Sequence, residues 1–279
     1  MTSARNVSVR IVAGTAAALF FAGISLAPSG ASAPGASAGA RAQKGAHNSS
    51  PSPLIDHGGK ILTASKTYAI WWGNPTAFPS DAASGIATLL DGFGGSDYLA
   101  IANEYMRGAT AASTYEGSLS DTTTAPPSHA PSVSTIVNEV ARLITTPDPN
   151  AIYFVYTSNF PNANYCAWHA SGTINGVTVQ VAYLPNTSGV AGCDPGNLYN
   201  ANSLSQGTRS LADSTAHEFM EATTDPVPVS AWADQQGQEI GDKCNFVYSA
   251  PVKLSNKSVW QLQEEWSNAS NGCVQGSGV

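Results

Sequence analysis

Apolar residues along this chain fall into a few runs whose spacing names the elements they build. From Ser132 to Ile144, Val133, Ile136, Val137, Val140 and Leu143 recur every three or four positions, one face of a helix. Thr67 to Trp72 is β-branched and aromatic and is stopped by Gly73-Asn74-Pro75, which predicts a strand. Ala151 to Tyr156 is a continuous apolar run, a buried strand, and Val177 to Leu184 places Val177, Val179 and Val181 on one side of another. Asp81 to Leu90 has helical spacing behind an Asp that reads as its cap, and Asp97 to Met106 reads as a further helix. Ser205 to about Thr223 is a long helix, stopped by Pro226. Thr122 to Pro131 is loop, and short strands are expected near Val259 to Val274. Strands and helices interleave, yet too few helical crossovers separate the strands for a doubly wound sheet. The expected fold is therefore α+β, a single domain with a mixed sheet and a long His/Glu-bearing helix, zincin-like in outline.

The first residues carry a different pattern. Arg5 and Arg10 precede an apolar run from Ile11 to Ala27, and small residues follow, including Ala31-Ser32-Ala33 and Ala36-Ser37-Ala38. That order is the order of a signal peptide, assigned to residues 1–38. The run is a little short of the ~20 residues that a membrane span needs. Residues 39–53 continue an Ala/Gly/Ser/Pro stretch without periodicity, a linker. The folded domain is assigned to residues 54–279.

Composition supports export. Of 279 residues, 42% are hydrophobic and 11% charged, against about 25% charged in ordinary domains. The surface must therefore use Ser, Thr, Asn and Gln. Net charge is -7, which repels phosphate backbones and anionic lipid and makes nucleic acid an unsuited partner. Cys166, Cys193, Cys244 and Cys273 are an even set, expected to form two disulfides in an oxidising compartment. Of three pairings, the sequential one closes two local loops and is preferred. A catalytic thiol at Cys166, with His169 three residues on, is the competing reading.

The long helix carries the chemistry. Residues four apart share a helix face, so His217 and Glu221 point the same way. This is how His-Glu-x-x-His presents two zinc ligands, with the intervening Glu as general base. Here the last position is Glu, also a legitimate zinc ligand, and Glu218 stands where it could take a proton from a metal-bound water. Glu239 and Asp242, about twenty residues on, are the candidates for a further ligand. Asp225 and His169 are additional candidates, and Asp234 a weaker one. Leu211, Ala212, Ala216, Phe219 and Met220 make this helix half-buried, and a buried His beside carboxylates needs a partner or a metal. A hydrogen-bonded His–carboxylate network and a solvated polar face are the alternatives.

Ala216-His217-Glu218-Phe219-Met220-Glu221-Ala222-Thr223-Thr224-Asp225-Pro226, followed by Ala231-Trp232 and by Glu239-Ile240-Gly241-Asp242-Lys243-Cys244, resembles the late block of the phosphate-induced protein 1 / Exordium family. Tyr68 to Gly73 and Tyr165-Cys166-Ala167-Trp168-His169 are similar to earlier parts of it. The likeness spans about residues 54 to 275. Asp225 stands where that family has Asn, and the Trp232 to Glu239 stretch is short. The resemblance implies export, a cysteine-bridged domain and a shared His/Glu site, without an activity. Two functions follow. One is a secreted zinc-dependent hydrolase, peptidase-like, acting on an extracellular peptide or cell-surface substrate. The other is a non-catalytic extracellular or wall-associated protein, with a structural metal or a hydrogen-bonded site. Calcium is the expected ion if carboxylates converge without His217.

Overall fold

Five strands make a mixed sheet in the computed structural model, which describes residues 52–276. In chain order they are β1 (Ala64–Trp72), β2 (Ala112–Asp121), β3 (Ala151–Thr157), β4 (Trp168–Ile174) and β5 (Val177–Pro185). They lie side by side as β2-β1-β3-β5-β4. All neighbours are parallel except β4, which runs antiparallel to β5 at the edge. The residues assigned to the signal peptide, and most of the assigned linker, lie outside the described residues.

β3 sits in the middle and all seven of its residues are buried, as expected of a strand covered on both faces. On one face, Ile136, Val137 and Val140 of α3 (Val133–Leu143) pack over Tyr153, Val155, Val179 and Val181. On the other, α1 (Ala82–Phe93), the short α2 (Asp97–Ala100) and α4 (Gln206–Thr224) bury Ile86, Leu89, Phe93, Leu211, Phe219 and Met220. Phe93 and Phe219 stack at 4.3 Å and fasten α1 to α4, a pair contributing about 0.5–1.5 kcal/mol beyond area burial. The described residues thus form an α+β domain with a mixed sheet and four α-helices.

Several local expectations are corrected. β1 begins at Ala64, earlier than Thr67, because its inward positions there are Ser65 and Thr67, too polar to register as a strand pattern. Asp81 stands at the N-cap of α1, but its side chain makes no cap hydrogen bond. Its carboxylate instead accepts from Ser205 N and Ser205 Oγ, both at 2.6 Å, and from Thr208 Oγ1, and so pins the start of α4. The segment Asp97 to Met106 is helical throughout but tightens into a 3-10 turn after Ala100. Asn103 turns its side chain to the Ala111 amide there.

After α4 the chain runs in loops joined by two- and three-residue ladders, such as Ile55–Asp56 with Trp232–Ala233. The Cys244–Cys273 bridge holds this part and Cys166–Cys193 joins the ends of the segment that carries β4 and β5, which is the sequential pairing. Cys166 is therefore no thiol nucleophile. No helix among the described residues is long and apolar enough to cross a membrane.

Candidate metal centre

α4 is unusual in being buried on every side while carrying many polar groups. Asp213, Ser214, Thr215, His217, Glu218, Glu221, Thr223 and Thr224 are all buried. Some of these groups bond locally. Thr215 and Thr224 return their hydroxyls to Leu211 O and Met220 O, and Tyr156 on β3 meets Thr215. The ionisable ones face a common centre, which other elements complete. β4 contributes His169, and the bridged segment after α4 contributes Glu239 and Asp242, the latter opening a 3-10 turn with Cys244.

His217, Glu221 and Asp242 each bring a ligand atom into a group spanning at most 4.8 Å, all three buried. His217 Nε2 lies 3.1 Å from Glu221 Oε1 and 3.8 Å from Asp242 Oδ1. Yet Nε2 makes no aligned hydrogen bond. At 3.1 Å a donor and an acceptor would normally align. Glu221 Oε1 instead accepts from the Asp242 backbone N–H at 3.0 Å, and His217 Nε2 is left without a partner in a buried site. The tautomer agrees. Gln263 Nε2 donates to Gly241 O at 3.0 Å, which leaves Gln263 Oε1 as acceptor for His217 Nδ1–H at 3.1 Å. In the neutral ring the proton is thus on Nδ1 and the lone pair on Nε2, the arrangement of a metal-binding imidazole held by an outer partner. Gly241 is required beside it: a Cβ there would stand 2.9 Å from His217 Nδ1.

Glu239 lies on the other side of Glu221. Its Oε2 is 2.7 Å from His169 Nε2, and its Oε1 accepts from Val229 N. His169 Nε2 is also 3.6 Å from Glu221 Oε2. His169, Glu218 and Glu221 form a second group within 4.8 Å. Glu218 is fully buried and neither of its oxygens has a hydrogen-bond partner. Asp225 has a loop-holding role: its Oδ1 accepts from Ser230 N, Ser230 Oγ and Ala231 N, while Oδ2 is unpartnered. Asp234 is turned away, and pairs with Lys243 at 3.2 Å.

Burial dominates the electrostatics. It pushes the carboxyls of Glu218, Glu221 and Glu239 well above the usual range, and neighbouring acids add to this. Asp242 is raised by burial, and burial with Glu239 nearby lifts Asp225 to about 6. Burial lowers His169 to about 4. Burial also works against the charged form of His217, but Glu218, Asp242 and Glu265 outweigh it and raise that group. Charges of one sign gathered in a dry interior call for protons or cations.

Three contributors escaped the sequence reading. Asp213 precedes His217 by four residues, on the same helical face, and accepts from Gln263 N and Tyr248 Oη. The spacing Asp213-His217-Glu221 was the available signal. Gln263 had none. Glu265, fully buried, accepts from Tyr98 Oη at 2.7 Å and is pushed up by burial to about 8.

No family model matches the chain, and no curated protein or solved structure matches it either.

Proposed function

We propose that this chain is an exported metalloprotein that works as a zinc-dependent hydrolase of the metallopeptidase type. His217, Glu221 and Asp242 hold the ion, and Glu218 accepts the proton of the attacking water. One observation carries the reading: a buried His217 Nε2 without a hydrogen-bond partner, its ring held by Gln263, within 4.8 Å of carboxylate oxygens of Glu221 and Asp242. Three protein donors with one position left for water is the pattern of catalytic zinc. Such an ion polarises a carbonyl and lowers the pKa of its water, and a neighbouring carboxylate removes the proton. The inward turn of His217 favours zinc over calcium, which prefers all-oxygen shells. The two bridges and the motif resemblance to the Exordium family support export.

The second reading, a closed and non-catalytic metal site, is favoured by the burial of Glu218 and Glu221, both 0% exposed. The test begins with metal content of the oxidised protein, purified without chelator, beside His217→Ala. Near-stoichiometric zinc lost in the variant supports the centre; no zinc in either protein overturns it. A peptide-library screen then compares the wild type with Glu218→Gln. Losing a positioned base lowers the rate ~10²–10⁴-fold. For the closed site, neither protein cleaves, and a hydroxamate leaves the absorption of the cobalt-substituted protein unchanged.

A further inference from the structure

His169 is the group that a single ion leaves unexplained. It enters from the sheet edge, opposite the helix that bears His217, and is fully buried. A hydrogen-bonded pair with Glu239 would account for the 2.7 Å contact. It would still leave both oxygens of Glu218 without partners in a dry interior. An unpaired buried carboxyl is destabilising, which calls for a partner at this point.

Glu221 links the two halves. Its Oε1 faces His217 Nε2 at 3.1 Å and its Oε2 faces His169 Nε2 at 3.6 Å. A carboxylate with an imidazole beside each oxygen is disposed as a bridge between two ions, which in such centres lie about 3.5–4 Å apart. Each side has its own terminal acid: Asp242 with His217, Glu218 with His169. Charge agrees with the geometry. One divalent ion neutralises Glu221 and Asp242, and leaves Glu218 and Glu239 in the same interior. The nearby ammonium of Lys243 is paired with Asp234.

We infer that the centre holds two divalent ions bridged by Glu221, the second bound by His169 and Glu218 with Glu239 beside them. This rests on the reading above for the first position. Glu218 binds through one oxygen and keeps the other for the proton of the attacking water. Two such ions would supply an activated water, with Glu218 to take its proton, and each would have imidazole and carboxylate donors, a set suited to zinc, manganese or iron.

The experiment is a titration of the chelator-stripped full chain with zinc, read by native mass spectrometry, for wild type, His169→Ala and His217→Ala. Two ions per wild-type chain and one in His169→Ala support the pair. One ion in the wild type, unchanged in His169→Ala, overturns the second position and leaves the first standing. No ion overturns both. If His169→Ala does not fold, the wild type loaded with manganese(II) carries the test by electron paramagnetic resonance. A spin-coupled spectrum supports the bridge, and the spectrum of isolated ions overturns it.

Discussion

His217 Nδ1 donates to Gln263 Oε1 at 3.1 Å, and Gln263 can accept only because its amide is held by Gly241 O. The contact decides which imidazole nitrogen has a free lone pair. Gln263→Leu removes the acceptor without adding charge. Outer partners of this kind typically contribute 10–100-fold in metal affinity, so a loss of roughly that size is expected. Competition with a chromophoric chelator measures it, and unchanged affinity would show that Gln263 does not set the tautomer.

Gly241 has a negative φ of -77°, so alanine is allowed by the backbone. The added methyl nevertheless lands 2.9 Å from His217 Nδ1. Gly241→Ala is expected to cost about 1–3 kcal/mol, the usual range for overpacking, and to weaken zinc binding as the ring is displaced. Thermal melts with and without zinc separate the two effects.

Ion binding must expel protons. Burial raises Glu218, Glu221 and Glu239 above the usual carboxylate range, so a cation competes with protons for these groups. Affinity should therefore fall as pH falls, and zinc addition in weak buffer should acidify the solution. A pH electrode or indicator dye suffices. Binding without proton release would contradict the assignment of these acids to the centre.

Away from the centre, Glu139 packs beside Asp121 with Arg142 across both. Burial, and then Asp121, push Glu139 up to about 7 from its ordinary 4.5. The folded state thus prefers the protonated form. The ionised form imposes no penalty below about pH 4.5, a growing one up to about 7 and a constant one above. Glu139→Gln stays neutral, and its amide can still donate to Asp121. Its melting temperature should match or trail the wild type in acid and gain on it through this window. A parallel pair of melting curves against pH would refute this.

The Cys244–Cys273 bridge closes a loop of sequence separation 29, for which chain entropy gives about 3–4 kcal/mol. The double Cys→Ala variant should lose about that much stability in denaturant unfolding. It should also bind zinc more weakly than wild type, since Asp242 lies two residues from Cys244. Lost stability with intact affinity would mean that Ile240 and its apolar neighbours hold the segment unaided.

Much of this was legible in the chain. The His217 and Glu221 spacing fixes a helix face whatever the tertiary structure, and the fully apolar β3 reads as a buried strand. What escaped was polar or one-sided. β2 is an edge strand with alternating exposed and half-buried positions, so Tyr115 and Leu119 hardly register as a pattern. β4 carries His169, Ser171 and Gly172 in place of alternating apolar residues. Its hairpin to β5 could have been found, because Asn175-Gly176 adopts positive φ at both positions, as a two-residue β-hairpin requires. Which carboxylate joins which histidine was beyond the sequence, since Glu239 and Asp242 are three residues apart and end on opposite sides of Glu221.

The bridges also bear on when an ion can arrive. His169 follows Cys166 by three residues and Asp242 precedes Cys244 by two, so each proposed ligand segment sits next to a bridge. Before oxidation, the nascent chain holds four soft thiols, which compete for zinc better than carboxylates do. On the proposed centre, oxidation would retire the rival ligands next to the segments that carry the intended ones. Metal loading would then be ordered in time: a reduced chain should take zinc through its cysteines, and only the oxidised chain at His217. Zinc absorption spectroscopy on the two forms would distinguish sulfur from nitrogen and oxygen neighbours.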